Sequence, residues 1–313
     1  MTDTTTRGAA RARGGWIGLA AGVLLGLVLL YSSWGKALDP RGVGEIYARK
    51  GLLPAGLATL VVVVAVGVEA AIGLALLVNY RRPSLLVLAT ALMLAFFGLT
   101  VYEYIHPAKD ASSCGCFGNL VVQTPRQAVV RDGVFLLLAL LAWAGRGAAR
   151  RVGLLWILPV TGFVLAAGLA VAAPRLPVDD LATQLKPGAK VAKLRIDELL
   201  PELQRGKSFV LLLDRGDEHT RKEIARVNEH LALKPGVRLN VLGLAEENDA
   251  LASEFTWTAA PAFEVRSGPF GTLKPLYRTL PRCFAVQDGT VVKVWNTIPD
   301  DTALDALADG RIP

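Results

Sequence analysis

Long apolar runs fill roughly the first 175 positions of the chain, and segments of mixed charged and apolar residues follow them. A helix needs about 20 apolar residues to cross roughly 30 Å of hydrocarbon. Five runs meet this requirement and predict five membrane-spanning helices, at residues 16–34, 55–80, 84–104, 127–144 and 152–173. The fourth run is the shortest, and it carries Arg131 and Asp132 near its start.

The first apolar run is predicted to stay in the membrane as a span rather than to act as a cleaved signal peptide. Basic residues precede it, as they would in a signal peptide. However, the run is longer than a signal core, and Lys36 and Asp39 follow where a small-residue cleavage site would stand. Residues 1–15 are therefore predicted to form a cytoplasmic tail.

From about residue 179 the pattern changes to that of an α/β domain. Short β-type runs predict strands, and apolar positions three or four residues apart, such as Ile224, Val227 and Leu231, predict helices. The predicted order is strand 208–213, helix 217–231, strand 237–244, helix 246–255, a hairpin of 282–286 with 291–295 around Asp288-Gly289, and helix 301–307. This order is typical of a thioredoxin-like fold.

Two segments of this domain resemble those around a thioredoxin active site. The run 209–214 resembles the strand that leads into that site, and Leu280-Pro281 resembles the cis-proline that faces it. Where thioredoxins carry Cys-x-x-Cys, however, this chain has Asp217-Glu218-His219-Thr220. The domain is therefore predicted to have the fold without the thiol exchange.

The remaining chemical candidates of this domain have structural interpretations. Asp217 and Glu218 suit the first turn of a helix, where acidic residues cap free N–H groups. His219 suits a solvated side chain, because no second histidine or cysteine lies near it in sequence. Cys283 suits a buried strand residue, and a relay with the membrane cysteines is the alternative.

The basic residues of the membrane part lie mainly in alternate connections between the predicted spans. The N-terminal tail, the turn with Arg81 and Arg82, and the segment with Arg146, Arg150 and Arg151 are nearly free of acidic residues. Cytoplasmic loops carry such an excess of Lys and Arg. The pattern predicts a multi-pass protein of a bacterial-type inner membrane, with a cytoplasmic N terminus and a periplasmic or extracellular C-terminal domain. The net charge of +7 reflects this bias, and no basic stripe with aromatic residues indicates nucleic-acid binding.

Two of the three cysteines lie in the sequence Ser113-Cys114-Gly115-Cys116-Phe117-Gly118, between the third and fourth predicted spans. The single glycine between them permits the tight ring of a Cys-x-Cys disulfide, and the strain makes such a bond easier to reduce than a structural disulfide. The predicted orientation places the pair in an oxidising compartment, where paired cysteines can cycle. A static disulfide is the alternative. Two thiols do not supply four metal ligands, so no metal site is predicted.

Several ionisable residues lie within the spans or at their ends, where such groups are costly and usually functional. They are Lys36, Asp39, Glu69, Glu103 and Arg131. For Lys36, as for Tyr102 and Tyr104, anchoring at the membrane interface is the alternative to a functional role. Glu69 lies well inside the second span, so it is predicted to have a functional role or to pair with another helix.

These residues and their order resemble the MauE branch of the DoxX-like membrane proteins, over about residues 15–145. The matching motifs are Ser32-Ser33-Trp34-Gly35-Lys36 with Asp39-Pro40, Leu52-Leu53-Pro54, Glu69 with Gly73, and Cys114-Gly115-Cys116-Phe117-Gly118 followed by Arg131. MauE is a methylamine-utilisation membrane protein associated with disulfide formation in a periplasmic partner enzyme. The resemblance implies a four-helix membrane bundle with thiol–disulfide chemistry at Cys114 and Cys116. Asp132 departs from the amide expected after the arginine.

The sequence therefore predicts an α-helical membrane bundle followed by an α/β thioredoxin-like domain. The predicted parts are the tail (1–15), a four-span MauE/DoxX-like domain (16–145), a fifth transmembrane helix (146–174) and an exported domain without Cys-x-x-Cys (175–313).

The predicted function is that of a membrane thiol–disulfide oxidoreductase that supports disulfide formation or maturation of an exported partner protein through Cys114 and Cys116. The alternative is a non-catalytic assembly factor whose C-terminal domain only binds. The expected partners are the lipid bilayer and an exported client or a periplasmic thioredoxin-like redox protein, not a nucleic acid. No cofactor is identified, and a membrane quinone near Glu69 is the candidate electron partner. Motifs of other enzyme classes, such as a Walker loop or HExxH, are absent.

Overall fold

A computed structural model of the chain describes residues 3–106, 124–144, 156–232, 236–244 and 249–313. The chain divides into two compact units, Met1–Val178 and Asp179–Pro313. In the described residues the first unit is helical, and the second combines helices with a five-stranded sheet. The predicted fold class, a helical membrane part followed by an α/β domain, is confirmed.

The helices of the first unit match the predicted spans closely. They are α1 (Asp3–Leu38), α2 (Pro40–Arg49), α3 (Ala55–Leu77), α4 (Pro83–Ile105), α5 (Pro125–Ala144) and α6 (Ile157–Ala172). Four stretches among the described residues are long and apolar enough to cross a membrane, at Gly15–Leu38, Ala55–Leu77, Pro83–Ile105 and Ile157–Arg175. They coincide with the first, second, third and fifth predicted spans. The fourth corresponds to α5, a helix of 20 residues whose start carries Arg126, Arg131 and Asp132.

Four of these helices, α1, α3, α4 and α5, share one apolar core. It consists of Leu25, Leu29, Ile72, Leu76, Leu86, Ala89, Met93, Ala139 and Ala142, all of them buried. Helix α6 packs against α3 and α1, and a second buried cluster there includes Val66 and Ala170. Large apolar side chains on the outer faces, such as Leu60, Leu94 and Leu165, are exposed. An outer surface of this kind suits lipid.

Helices α1 and α3 approach each other closely at a pair of glycines, Gly26 and Gly73. A Cβ atom on Gly26 would lie 2.8 Å from the carbonyl oxygen of Gly73, and one on Gly73 would lie 2.9 Å from the carbonyl oxygen of Gly26. Both distances are shorter than a carbon–oxygen contact allows. Small residues at a helix crossing permit this close backbone packing in membranes.

Helix α2 lies in the connection between α1 and α3, and the apolar pattern of the sequence does not predict it. Pro40 occupies its first turn, where a missing N–H costs nothing. The helix ends before Gly51, whose φ of +68° is the left-handed conformation that favours glycine. Val43 and Ile46 are buried, and the helix packs on α3. The connection is therefore a short amphipathic helix.

The second unit is built on a mixed sheet. Its elements are α7 (Asp179–Ala182), β1 (Lys207–Leu213), α8 (Glu218–Val227), β2 (Arg238–Leu244), α9 (Asp249–Ala259), β3 (Val265–Gly268), α10 (Phe270–Leu273), β4 (Arg282–Gln287), β5 (Thr290–Trp295) and α11 (Asp301–Ala308). The strand order is β3-β2-β1-β4-β5, in which β1, β2 and β3 are parallel and β4 and β5 run antiparallel to their neighbours. Each predicted strand and helix has a counterpart, and β3 is an additional edge strand.

Details of this unit also follow the sequence. Asp288 and Gly289 both have positive φ, at 46° and 74°, as a two-residue hairpin turn requires. The Leu280-Pro281 peptide bond is cis. Ile224, Val227 and Leu231 belong to the buried core beside β1, as their spacing predicts.

Candidate functional site

A buried ion pair joins α1 to α3 in the interior of the bundle. Ser32 and Lys36 are one helical turn apart on α1, and both face Glu69 at the middle of α3. The Lys36 Nζ donates to Oε1 of Glu69, and the Ser32 Oγ donates to Oε2 at 2.8 Å. Lys36 is 2% exposed and Glu69 is 0% exposed. The carboxylate thus has a partner on each oxygen, as a buried charge requires.

Two further contacts complete the surroundings of this pair. The Lys36 Nζ lies 4.4 Å from the centre of the Phe96 ring on α4, a cation–π distance. The Ser33 Oγ donates to the carbonyl oxygen of Val66 at 2.9 Å. The pair therefore connects three helices. Lys36 is buried at the centre of these contacts, so interfacial anchoring does not describe it.

Asp39 has a structural role at the end of α1. Its Oδ1 accepts a hydrogen bond from the backbone N–H of Gly42 at 2.9 Å, which caps the N terminus of α2. Asp39 is 2% exposed. The residue therefore fixes the change of direction from α1 into α2.

Glu103 pairs with a lysine at the far end of α2. The Lys50 Nζ lies 2.7 Å from Oε1 of Glu103, and both side chains are 17% exposed. Lys50 follows directly on α2, and Glu103 is in the last turn of α4. This ion pair therefore connects the end of α2 to the end of α4, and its two residues are 53 positions apart in sequence.

Arg131 pairs with its neighbour near the start of α5. Its Nε donates to Oδ1 of Asp132 at 2.7 Å, and the guanidinium carbon lies 5.9 Å from the centre of the Phe135 ring. Asp132 is 3% exposed, and its Oδ2 has no hydrogen-bond partner in the part of the chain that the structure describes. A buried carboxylate oxygen without a hydrogen-bond partner is unusual in proteins, and this one adds to the polar interior of the bundle.

Cys114 and Cys116 lie outside the described residues, in segment 107–123. The chain connects this segment to α4 after Ile105 and to α5 before Pro125. A Cβ on Gly133 of α5 would contact Phe97 of α4 at 3.4 Å, so the two helices are adjacent there. Both are connected to the segment at the bundle end that holds the Lys50–Glu103 pair.

The structure thus brings Lys36 and Glu69 together, whereas Asp39, Glu103 and Arg131 contact other partners. The sequence predicts that Glu69 has a functional role or pairs with another helix, and it does not identify the partner. Spacing offered a signal, because Ser32 and Lys36 are four residues apart and lie on one helical face. The partners Lys50 and Phe96 could not be predicted from the sequence, because both depend on contacts between helices distant in sequence.

The second unit has no thiol in Asp217-Glu218-His219-Thr220, the segment that the sequence analysis compares with the Cys-x-x-Cys of thioredoxins. Asp217 caps α8 by accepting from the Thr220 N–H at 2.9 Å and from its hydroxyl at 2.6 Å. Burial raises the pKa of Asp217, but the hydrogen bonds from Thr220 outweigh this effect and hold that pKa below its usual value. His219 is exposed.

Cys283 lies on β4 within the buried core of the second unit. Desolvation raises the pKa of its thiol well above the ordinary value, which disfavours the thiolate, the nucleophilic form. In the described residues no group of three or more His, Cys, Asp and Glu side chains is arranged to hold a metal ion.

Comparison with known proteins supports the family resemblance of the first unit. Residues 14–145 match the family model "Methylamine utilisation protein MauE". A curated relative, Protein TlpB of Flavobacterium psychrophilum, is 29% identical over 126 residues, which are 38% of this chain and 34% of TlpB. The aligned part is thus about a third of that relative's length. The MauE-like region predicted at about 15–145 is confirmed by the family match, and a multi-pass membrane protein follows from it together with the apolar helices.

Proposed function

We propose that this protein is a membrane thiol–disulfide oxidoreductase that supports disulfide formation or maturation of an exported partner protein through Cys114 and Cys116. The main support is the place of these cysteines in the chain. Their segment joins α4 to α5 at the bundle end with the Lys50–Glu103 pair, next to helices with a charged interior. The match of residues 14–145 to the MauE family adds independent support.

The proposed exchange transfers two electrons from the client to the bundle. A client thiolate attacks one sulfur of the Cys114–Cys116 disulfide, a mixed disulfide forms, and the other cysteine leaves as a thiolate. A second client thiolate then attacks the mixed disulfide, which releases the client with its own disulfide. The bundle is left as a dithiol and carries the two electrons and two protons that the client thiols have lost.

The reduced pair must then be oxidised again. An oxidised periplasmic thioredoxin-like protein could accept the electrons by the reverse exchange, and a membrane quinone could accept them with two protons. The polar interior does not suit a quinone as it stands, because Ser32 and Lys36 already donate to Glu69. We therefore assign no step to a quinone within the bundle, and we propose the Lys36–Glu69 pair as a structural support for the cysteine-bearing end.

The second unit is proposed to bind the client or the redox partner without chemistry of its own. Support comes from the capped Asp217 and the exposed His219 at the position of a Cys-x-x-Cys, and from the buried Cys283. A thioredoxin-like domain of this kind would bind a partner without exchanging thiols with it.

The proposed location is a bacterial-type inner membrane, with the Cys114/Cys116 segment and the second unit on the periplasmic or extracellular side. A membrane-impermeant thiol reagent should label reduced Cys114 or Cys116 in intact spheroplasts. A variant with serine at both positions controls for labelling of Cys283. Labelling only after the membrane is broken would overturn the orientation.

Trapping the mixed disulfide tests the redox function directly. In the native host, the remaining cysteine of Cys114→Ser or Cys116→Ser can still attack the disulfide of the oxidised thioredoxin-like partner and release one partner sulfur as a thiolate. The second bundle thiol that would resolve this mixed disulfide is missing, so one of the two variants should accumulate a higher-mass species that reductant removes. The double variant should form none, and Cys283→Ala, the matched control, should behave as the wild type. A static disulfide in a non-catalytic assembly factor predicts no adduct from any variant. Absence of an adduct with full function in both single variants would refute the redox proposal.

A further inference from the structure

Arg81 lies in the turn between α3 and α4, and its guanidinium is buried. The residue is 2% exposed, and its Nε, Nη1 and Nη2 have no hydrogen-bond partner within the described residues. The guanidinium lies against α1, where a Cβ atom on Gly22 would be 3.0 Å from Nη2. Five N–H donors are thus unused at a contact between the turn and α1.

This cation has no means of becoming neutral by itself. Burial lowers the pKa of Arg81, but an arginine side chain keeps its proton in proteins. A buried and unpaired charge is among the most unfavourable arrangements in a protein, so a counter-charge is needed.

Within the first unit, the residues that the structure describes do not supply that counter-charge. The sequence has no Asp or Glu between residues 4 and 38, between 70 and 102, or between 133 and 178. These ranges include the parts of all the long helices that lie at the Arg81 end of the bundle. The nearest acidic positions along the helices, Glu69 and Asp132, already bind Lys36 and Arg131. Arg82 follows directly and adds a second, exposed positive charge.

We propose that Arg81 binds the phosphate of an anionic phospholipid at the contact between the α3–α4 turn and α1. A turn between two spanning helices lies at the level of the lipid headgroups, where phosphate is abundant. A guanidinium matches phosphate with paired N–H donors. Because Gly22 has no side chain, the guanidinium can lie directly against α1. A lipid phosphate bound to Arg81 would therefore lie next to both α1 and the α3–α4 turn. The site is independent of the cysteines and of the function proposed above.

Native mass spectrometry of the full chain in detergent tests this site. The probes are phosphatidylglycerol and phosphatidylcholine with the same acyl chains, and inorganic phosphate. We expect the wild type to bind phosphatidylglycerol more tightly than phosphatidylcholine. Arg81→Gln should raise the Kd for phosphatidylglycerol about tenfold or more, because it removes a charge-assisted contact. Arg82→Gln is the matched control, because it removes the same charge from the adjacent, exposed position. It should change the Kd for phosphatidylglycerol far less.

A second variant reaches the site from the opposite helix. Gly22→Ala should displace the guanidinium and weaken phosphatidylglycerol binding in the same direction as Arg81→Gln, so the test does not depend on one variant folding. The proposal is overturned if both variants bind phosphatidylglycerol like the wild type or if the two lipids bind equally. It is also overturned if inorganic phosphate displaces the lipid at equal concentration, which would identify a site for free phosphate.

Discussion

Removing the charge of Glu69 should destabilise the bundle more than any other single change of a carboxylate. In Glu69→Gln the amide still accepts from Ser32, so the main loss is the counter-charge of Lys36. The lysine would then be an unpaired cation that is 2% exposed. Breaking a buried pair in this way costs roughly 3–5 kcal/mol.

The lower end of that range is expected here, for two reasons. Lys36 lies two residues from the end of α1, so its long side chain can reach the interface in a partly unfolded state. Polar contacts between membrane helices also contribute less than expected, about 0.6 kcal/mol on average, because the unfolded chain finds other partners in the membrane. We therefore predict a loss of about 3 kcal/mol in the free energy of unfolding.

The measurement is reversible unfolding of the full chain in mixed micelles, followed by circular dichroism as the SDS fraction rises. The double variant Lys36→Met/Glu69→Gln should recover at least half of the loss, since it leaves no unpaired charge. Glu45→Gln is the control, because Glu45 and Arg49 form an exposed pair at 3.2 Å whose loss should cost less than about 0.5 kcal/mol.

Two results would refute this reasoning. One is a cost for Glu69→Gln equal to that of Glu45→Gln. The other is a double variant whose loss in the free energy of unfolding equals the sum of the losses measured for Lys36→Met and Glu69→Gln alone, because independent residues give additive changes.

Three other predictions concern separate parts of the chain. Gly73→Ala places a Cβ 2.9 Å from a facing carbonyl oxygen and should cost about 1–3 kcal/mol in the same unfolding measurement, whereas Gly98→Ala, with open space, should be neutral or stabilising. Asp217→Ala should cost about 1 kcal/mol through loss of the helix cap. Because the pKa of Asp217 is lowered on folding, its negative charge stabilises the folded state at neutral pH, and this stabilisation is lost as the pH falls through the pKa of the folded state. Asp217→Asn should keep the helix cap and lose this pH dependence of stability, as measured by thermal melts across pH. In protein whose other two cysteines are serine, Cys283 should react with iodoacetamide only after unfolding, and fast labelling of the native protein would contradict its burial.

The sequence predicts the elements of this protein well where one chain segment decides the outcome. Apolar length alone locates the spans, and the Asp288-Gly289 pair locates the hairpin turn of the second unit. Helix α1 extends to Leu38, past its predicted end at residue 34, because Lys36 has a buried partner that a count of apolar residues does not reveal.

Contacts between distant segments are harder to predict. The partner of Glu69 depends on the rotation and height of α1 relative to α3, and the partner of Glu103 is 53 residues away. The edge strand β3 is only four residues long and is defined by its pairing with β2. The roles of Cys114 and Cys116 stay predictions from the sequence.

The Lys36–Glu69 pair also has a consequence for how the chain enters the membrane. Lys36 is synthesised 33 residues before its partner. At about 5–20 residues per second, it waits roughly 2–7 s for Glu69 to be made. During that interval the ammonium group can remain at the interface only because it lies close to the end of α1. Full insertion of α1 therefore has to wait until α3 has been synthesised and supplies Glu69. A ribosome pause between the two helices should prolong the time in which an incompletely inserted α1 is exposed to membrane proteases.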